Sequence, residues 1–105
     1  GDVRDVALRD RRRLSEDGVL IIVATLSSSN GGTTATPELI ARGFGDADDL
    51  LDDLREEATR VLQELASDDI TEIKLLQEHL HDSVGQIVYD RTRRRPMILP
   101  VVIET

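Results

Sequence analysis

A chain of 105 residues with 39% apolar and 32% charged residues has room for one domain with a modest core, and it lacks the low-hydrophobicity signature of a disordered chain. It has no cysteine, which excludes a disulfide framework, a thiolate metal site and a cysteine nucleophile. The formal net charge of −8 argues against a domain that grips a polyanion by bulk electrostatics. The longest unbroken apolar run, Val19 to Ala24, falls far short of the ~20 residues needed to span a bilayer, so no membrane association is expected. Opening on Gly1 rather than Met leads us to expect a segment of something longer.

Asp2 to Asp17 is densely charged and reads as an entry segment, residues 1–17, ahead of a domain over residues 18–105. Val19 to Leu26 is β-branched and continuously apolar, the pattern of a central strand covered on both faces. Ser27 to Gly32 ends in Asn-Gly-Gly, whose positive-φ tolerance suits a hairpin reversal. A return strand is expected from about Thr33 to Phe44, with Pro37 near its start and Gly43 and Gly45 closing it. From Asp46, a suitable N-cap, Leu50, Leu54, Ala58, Val61 and Leu65 follow helical spacing, widened by Leu51 and Leu62. Ser67-Asp68-Asp69 breaks and recaps, and Ile70, Ile73, Leu76, Leu80, Val84 and Ile87 mark a second helix lasting to about Tyr89 or Arg91. Pro96 disfavours helix at Arg95, and Met97 to Ile103 forms a last apolar strand that Pro100 assigns to an edge or a bulge. The expected fold is an α+β two-layer sandwich of order β-β-α-α-β, with two antiparallel helices on one face of a three-stranded sheet. The first and last strands lack the polar alternation of a water-facing side, so the other face is expected to meet a protein surface. Local cover by sheet twist, long arginine stems and the entry segment is the alternative.

Charge is unevenly placed. Asp46 to Glu72 holds seven Asp and four Glu against Arg55 and Arg60, leaving about +1 for the rest of the chain. Arginines gather at Arg9, Arg11, Arg12 and Arg13 and again at Arg91, Arg93, Arg94 and Arg95. Arg11 to Arg13 and Arg93 to Arg95 are candidate contacts to RNA phosphates. Pairing with the acidic helix, capping of helical carbonyls and bridging to another subunit are the alternatives. With only Phe44 and Tyr89 aromatic, a base-stacking platform is not expected.

No catalytic residue is expected. His79-Leu80-His81-Asp82 opens like the His-x-His-x-Asp-His motif of metallo-β-lactamase-type hydrolases, but Ser83 and Val84 stand where it needs Asp and His. On a helix, positions i and i+2 point about 200° apart and cannot chelate one ion. Ser27 to Ser29 lie in no nucleophile elbow, and Gly31-Gly32 lacks the phosphate-loop lysine. The acidic run reads as a solvated, capped helix face.

Four pieces in order, Gly1-Asp2-Val3, Leu8-Arg9-Asp10-Arg11 with Leu14-Ser15-Glu16-Asp17-Gly18, Pro37 to Phe44 and Arg94-Arg95-Pro96-Met97-Ile98-Leu99-Pro100-Val101, together resemble the C-terminal domain of bacterial ribonuclease J. The resemblance implies a parent enzyme with a zinc-dependent metallo-β-lactamase core and a β-CASP insertion. That parent is a cytoplasmic 5′-to-3′ exoribonuclease and endoribonuclease of mRNA decay and RNA maturation. It implies that the metal ligands lie upstream, so this segment takes no cofactor and zinc belongs to the parent. It also implies a non-catalytic role in a homo-oligomer, dimer or tetramer, and in contact with the enzyme's own catalytic core, with RNA reached through the parent. The candidate contact residues are Val19, Ile21, Val23, Ile98, Val101 and Ile103. Which parity faces outward cannot be read from a continuous apolar run.

Overall fold

A computed structural model describes residues 17–27, 32–33, 36–43 and 48–104. The entry segment through residue 16, the turn at 28–31 and Asp46 lie outside the described residues. The described elements are β1 (Val19–Ser27), β2 (Gly32–Thr33), β3 (Glu38–Arg42), α1 (Asp48–Ser67), α2 (Ile73–Thr92) and β4 (Met97–Glu104). The architecture is the expected α+β sandwich, with a mixed sheet.

β1 is the central strand. Along one edge it pairs in parallel with β4, from Val19 against Met97 to Leu26 against Glu104. Along the other it pairs antiparallel with β3, from Val19 against Arg42 to Val23 against Glu38, and with β2 at Leu26 and Ser27. The return strand expected as one piece is therefore two. Leu26 pairs with Thr33 and Val23 with Glu38, so the return segment has two more residues between these pairs than β1 has. Two surplus residues and Pro37, which has no N–H to donate, break the ladder there. At the mouth of this pair Gly18 and Gly43 both take positive φ, 90° and 83°. A Cβ on Gly43 would stand 3.2 Å from the Gly18 Cα, so the two backbones approach too closely for side chains.

β1 also corrects the expectation of a strand covered equally on both faces. Its burial alternates: Leu20, Ile22, Ala24 and Leu26 are buried against the helices, while Val19, Ile21, Val23 and Thr25 are half-buried on the other side. The helices complete the core with Leu50, Leu54, Ala58, Val61, Leu62 and Leu65 from α1, and Leu76, Leu80, Val84 and Val88 from α2. In α2 the step of four from Leu76 to Val84 continues to Val88. Ile87, expected in the stripe, sits half-buried at its margin.

α1 ends in a Schellman closure. Asp69 adopts φ 58°, the Ile70 N–H donates to the Leu65 carbonyl at 2.9 Å, and the Asp69 N–H donates to the Ala66 carbonyl at 3.0 Å. Ile70 thereby packs on the core as part of the turn, and α2 begins only at Ile73, with Glu72 as N-cap. The recapping expected from Asp68-Asp69 is thus a C-terminal closure. Asp53 near the start of α1 pairs with Arg91 near the end of α2, as antiparallel helices require. No helix among the described residues is long and apolar enough to cross a membrane.

Candidate interaction surface

The side of the sheet away from the helices is the most extensive apolar surface among the described residues. Strand alternation places Leu99, Val101 and Ile103 of β4 there, with 42%, 40% and 49% of their surface exposed. Ile40 of β3 joins them at 40%. The register aligns these side chains in rows across the sheet. Leu99, Ile21 and Ile40 form one row; Val101, Val23 and Glu38 form the next; Ile103 stands beside Thr25. Glu38 and Arg42 flank Ile40 on the same face, giving an apolar centre with a polar rim along β3.

Five of the six candidate contact residues, Val19, Ile21, Val23, Val101 and Ile103, lie on this face. Ile98 does not. It is 7% exposed and belongs to the core beneath α2, because it is one residue out of phase with Leu99 and Val101. Ile40 and Leu99 were not among the expected contacts. Leu99 sits in an uninterrupted apolar stretch with no polar neighbour to mark its parity, and its pairing with Ile21 reveals it. Ile40 shares parity with Glu38 and Arg42, and that two-residue alternation is the signal that could have placed it on the outer face.

β4 forms one edge of the described sheet. The Met97 N–H donates to the Gly18 carbonyl at 3.0 Å, so the main-chain groups of Met97, Leu99, Val101 and Ile103 point toward β1. Those of Ile98, Pro100 and Val102 point to the free edge. Pro100, with no N–H, therefore costs the ladder nothing and removes one donor from that edge.

A second feature lies at the C-terminal end of α2. Arg93 caps the helix in the left-handed conformation, φ 60°, with its N–H donating to the Tyr89 carbonyl at 2.7 Å. Its guanidinium carbon stands 5.3 Å from the Tyr89 ring centroid, and that of Arg95 stands at 4.6 Å, so one aromatic ring braces two cations. Arg94 is exposed, and its N–H donates to Thr92 Oγ1 at 3.0 Å. The Arg95 N–H donates to Asp17 Oδ2 at 3.3 Å. Beside this cluster runs a groove of about 420 Å³ between α2 and the free edge of β4, lined among others by His81, Gln86, Tyr89, Arg95 and Ile98. The other candidate cluster, Arg11 to Arg13, lies outside the described residues.

The remaining polar groups are accounted for locally. On α1 the Arg60 Nε donates to Glu57 at 2.7 Å and an Arg60 Nη donates to Glu64 at 2.6 Å. The hydrogen bond from Arg60 holds the Glu57 carboxyl below its ordinary value near 4.5, against the opposing effect of partial burial. His79 and His81 are both exposed on α2, and His81 Nδ1 lies 3.1 Å from Asp82 Oδ1. Among the described residues no three His, Cys, Asp or Glu side chains are grouped to hold a metal ion, so the side chains present do not fit the zinc site that the family resemblance implies for a parent enzyme.

The model of the ribonuclease J C-terminal domain family matches residues 6–105. The chain belongs to that family. Ribonuclease J2 of Bacillus subtilis (strain 168) is 35% identical over 107 residues, covering 99% of this chain and 19% of that protein. The Ribonuclease J 2 proteins of Staphylococcus epidermidis (strain ATCC 12228 / FDA PCI 1200) and Staphylococcus aureus (strain NCTC 8325 / PS 47) match with the same identity and the same coverage of both chains. This ribonuclease J C-terminal domain thus spans about a fifth of the length of the curated relatives it matches.

Proposed function

We propose that this domain is the non-catalytic accessory and assembly part of a ribonuclease J, using its open sheet face to hold a second subunit, in a dimer or tetramer, or the enzyme's own catalytic core. In this account the parent is a zinc-dependent 5′-to-3′ exo- and endoribonuclease of bacterial mRNA decay and RNA maturation, working in the cytoplasm. Zinc and the scissile RNA are held by its catalytic part.

The observation that carries the proposal is the apolar face built by Ile21, Val23, Ile40, Leu99, Val101 and Ile103, opposite a helix layer that already closes the core. Large side chains left 40–49% exposed in aligned rows cost solubility without adding to the core, which is the expected state of a surface that a partner covers. Family membership supports a location beside a much longer chain, since the relatives extend well beyond the matched segment.

Light scattering coupled to size exclusion tests this, over about a hundredfold range of concentration and at low and high salt. An apolar interface persists or tightens as salt rises. A species larger than a monomer that survives high salt supports assembly through copies of this domain. A monomer throughout removes self-association, and the surviving form of the proposal, docking on the catalytic core, then requires binding to that core added in trans.

A further inference from the structure

We propose that Arg93, Arg94 and Arg95, with the groove beside Tyr89, form a binding site for single-stranded RNA, the guanidiniums taking about three backbone phosphates and the groove one adjoining nucleoside. In a chain of net charge −8, Arg91 is paired with Asp53 and Arg55 and Arg60 with carboxylates of their own helix. Arg93, Arg94 and Arg95 make no ion pair among the described residues. Three adjacent guanidiniums that pair with no carboxylate among the described residues are available to an external anion.

Their placement is also fixed. Tyr89 holds Arg93 and Arg95 at 5.3 and 4.6 Å, the left-handed turn at Arg93 directs the chain away from the helix, and the Thr92 hydroxyl and Asp17 carboxylate anchor the N–H groups of Arg94 and Arg95. For Arg93 and Arg95 the ring contact removes part of the rotamer freedom that a phosphate contact would otherwise cost, while Arg94 is positioned through its main chain alone. The adjoining groove of about 420 Å³ is within the range of small-ligand pockets. Asp82 also lines it and engages His81 Nδ1, and Gln86 Nε2 donates to Asp90, which leaves Gln86 Oε1 and the outward main-chain groups of Ile98 to meet a base edge.

The same free edge and groove could accept an extended acidic peptide as an added strand. Pro100 counts against it, because it deletes a donor from the middle of the edge that such a strand would use. Phosphates need only the guanidiniums. The site lies on the helix side of β4, away from the face that Val101 lines, so its failure leaves the assembly proposal standing.

The test is fluorescence anisotropy of a labelled twelve-nucleotide oligouridylate with the 105-residue chain. With three phosphates and a slope of about −0.7 per phosphate for single strands, affinity is expected to fall about 20-fold between 50 and 200 mM salt. The triple variant R93Q/R94Q/R95Q is expected to bind at least about tenfold more weakly, with that salt dependence largely gone. Tyr89→Leu keeps all three charges and releases the brace, so it is expected to weaken binding about three- to tenfold while leaving the salt slope unchanged. Circular dichroism confirms folding of each variant. R55Q/R60Q removes comparable charge from α1 and is expected to bind as the parent chain does. The proposal is overturned by wild-type binding that is absent at 50 mM salt, by a triple variant that matches wild type, or by equal loss in R55Q/R60Q. Displacement of the RNA by an oligoglutamate as readily as by unlabelled oligouridylate also overturns it, in favour of an acidic protein partner.

Discussion

Placing a carboxylate in the middle of the open sheet face separates an interface from an incidental apolar patch. Val101 stands beside Val23 in the register, between the rows of Leu99 and Ile103, and 40% of its surface is exposed. Complete burial of a Val, Leu or Ile side chain is worth about 1.5–3 kcal/mol, so covering what remains exposed on Ile40, Leu99, Val101 and Ile103 contributes about 0.6–1.5 kcal/mol each. Two such faces in contact gain about 5–12 kcal/mol, against an association cost of about 4–15 kcal/mol. These magnitudes set a weak, concentration-dependent pair when the face acts alone. Val101→Asp removes about 0.6 kcal/mol or more from each copy and leaves an unpaired carboxylate in the seam at about 1–3 kcal/mol. The combined loss of about 3 kcal/mol or more raises the dissociation constant over about 100-fold. Within one monomer the cost is only about 1 kcal/mol, because the position is partly solvated on an edge strand. Sedimentation equilibrium reads the association and circular dichroism the fold, with Gln63→Asp on the exposed side of α1 as a control that leaves association unchanged. A folded Val101→Asp variant that associates within about threefold of wild type refutes the assignment of this face.

Other outcomes follow from the core and the helices. Gly85→Ala gains about 0.8–1 kcal/mol of helix propensity, but its Cβ would meet Ile98 Cδ1 at 3.1 Å. Urea denaturation should show a net gain of about 0.5 kcal/mol, rising toward the full value in an Ile98→Val background that lacks the crowding methyl. Leu80→Ala, at a side chain with no exposed surface between α2 and the sheet, should cost about 2–5 kcal/mol in the same assay. The Glu57 carboxyl is held below its ordinary value, so its contribution is present above about pH 4.5 and is lost as pH falls through the depressed folded value. Glu57→Gln should therefore be less stable than wild type at pH 7, with the difference shrinking in chemical denaturation at pH 3.

The sequence carried the element order because each segment kept its own period. Leu50, Leu54, Ala58, Val61 and Leu65 could only be one stripe of a helix, and Asp69 with Ile70 closed it. The parity of the sheet was not legible. Val19 to Leu26 and Met97 to Ile103 are apolar at nearly every position, so nothing local distinguishes Ile98, which is buried, from Leu99, which is exposed. Long-range pairing decides it, through the Met97 to Gly18 hydrogen bond and the register that follows. The broken return strand was hidden for a similar reason, since Pro37 announces a defect without stating that two surplus residues accompany it. The Tyr89 brace was partly legible in the i, i+4 spacing to Arg93; the approach of Arg95 depends on the left-handed turn between them.

The most direct test of the central claim is the solvent exposure of individual methyl groups, read by relaxation from a soluble paramagnetic agent over about a hundredfold rise in protein concentration. Assembly through the sheet face predicts that the methyls of Ile21, Val23, Leu99, Val101 and Ile103 lose this relaxation as concentration rises, while Leu75, 38% exposed on α2, keeps it. Sheet-face methyls that stay equally exposed while the chain associates, or protection that appears at Leu75 instead, would contradict it.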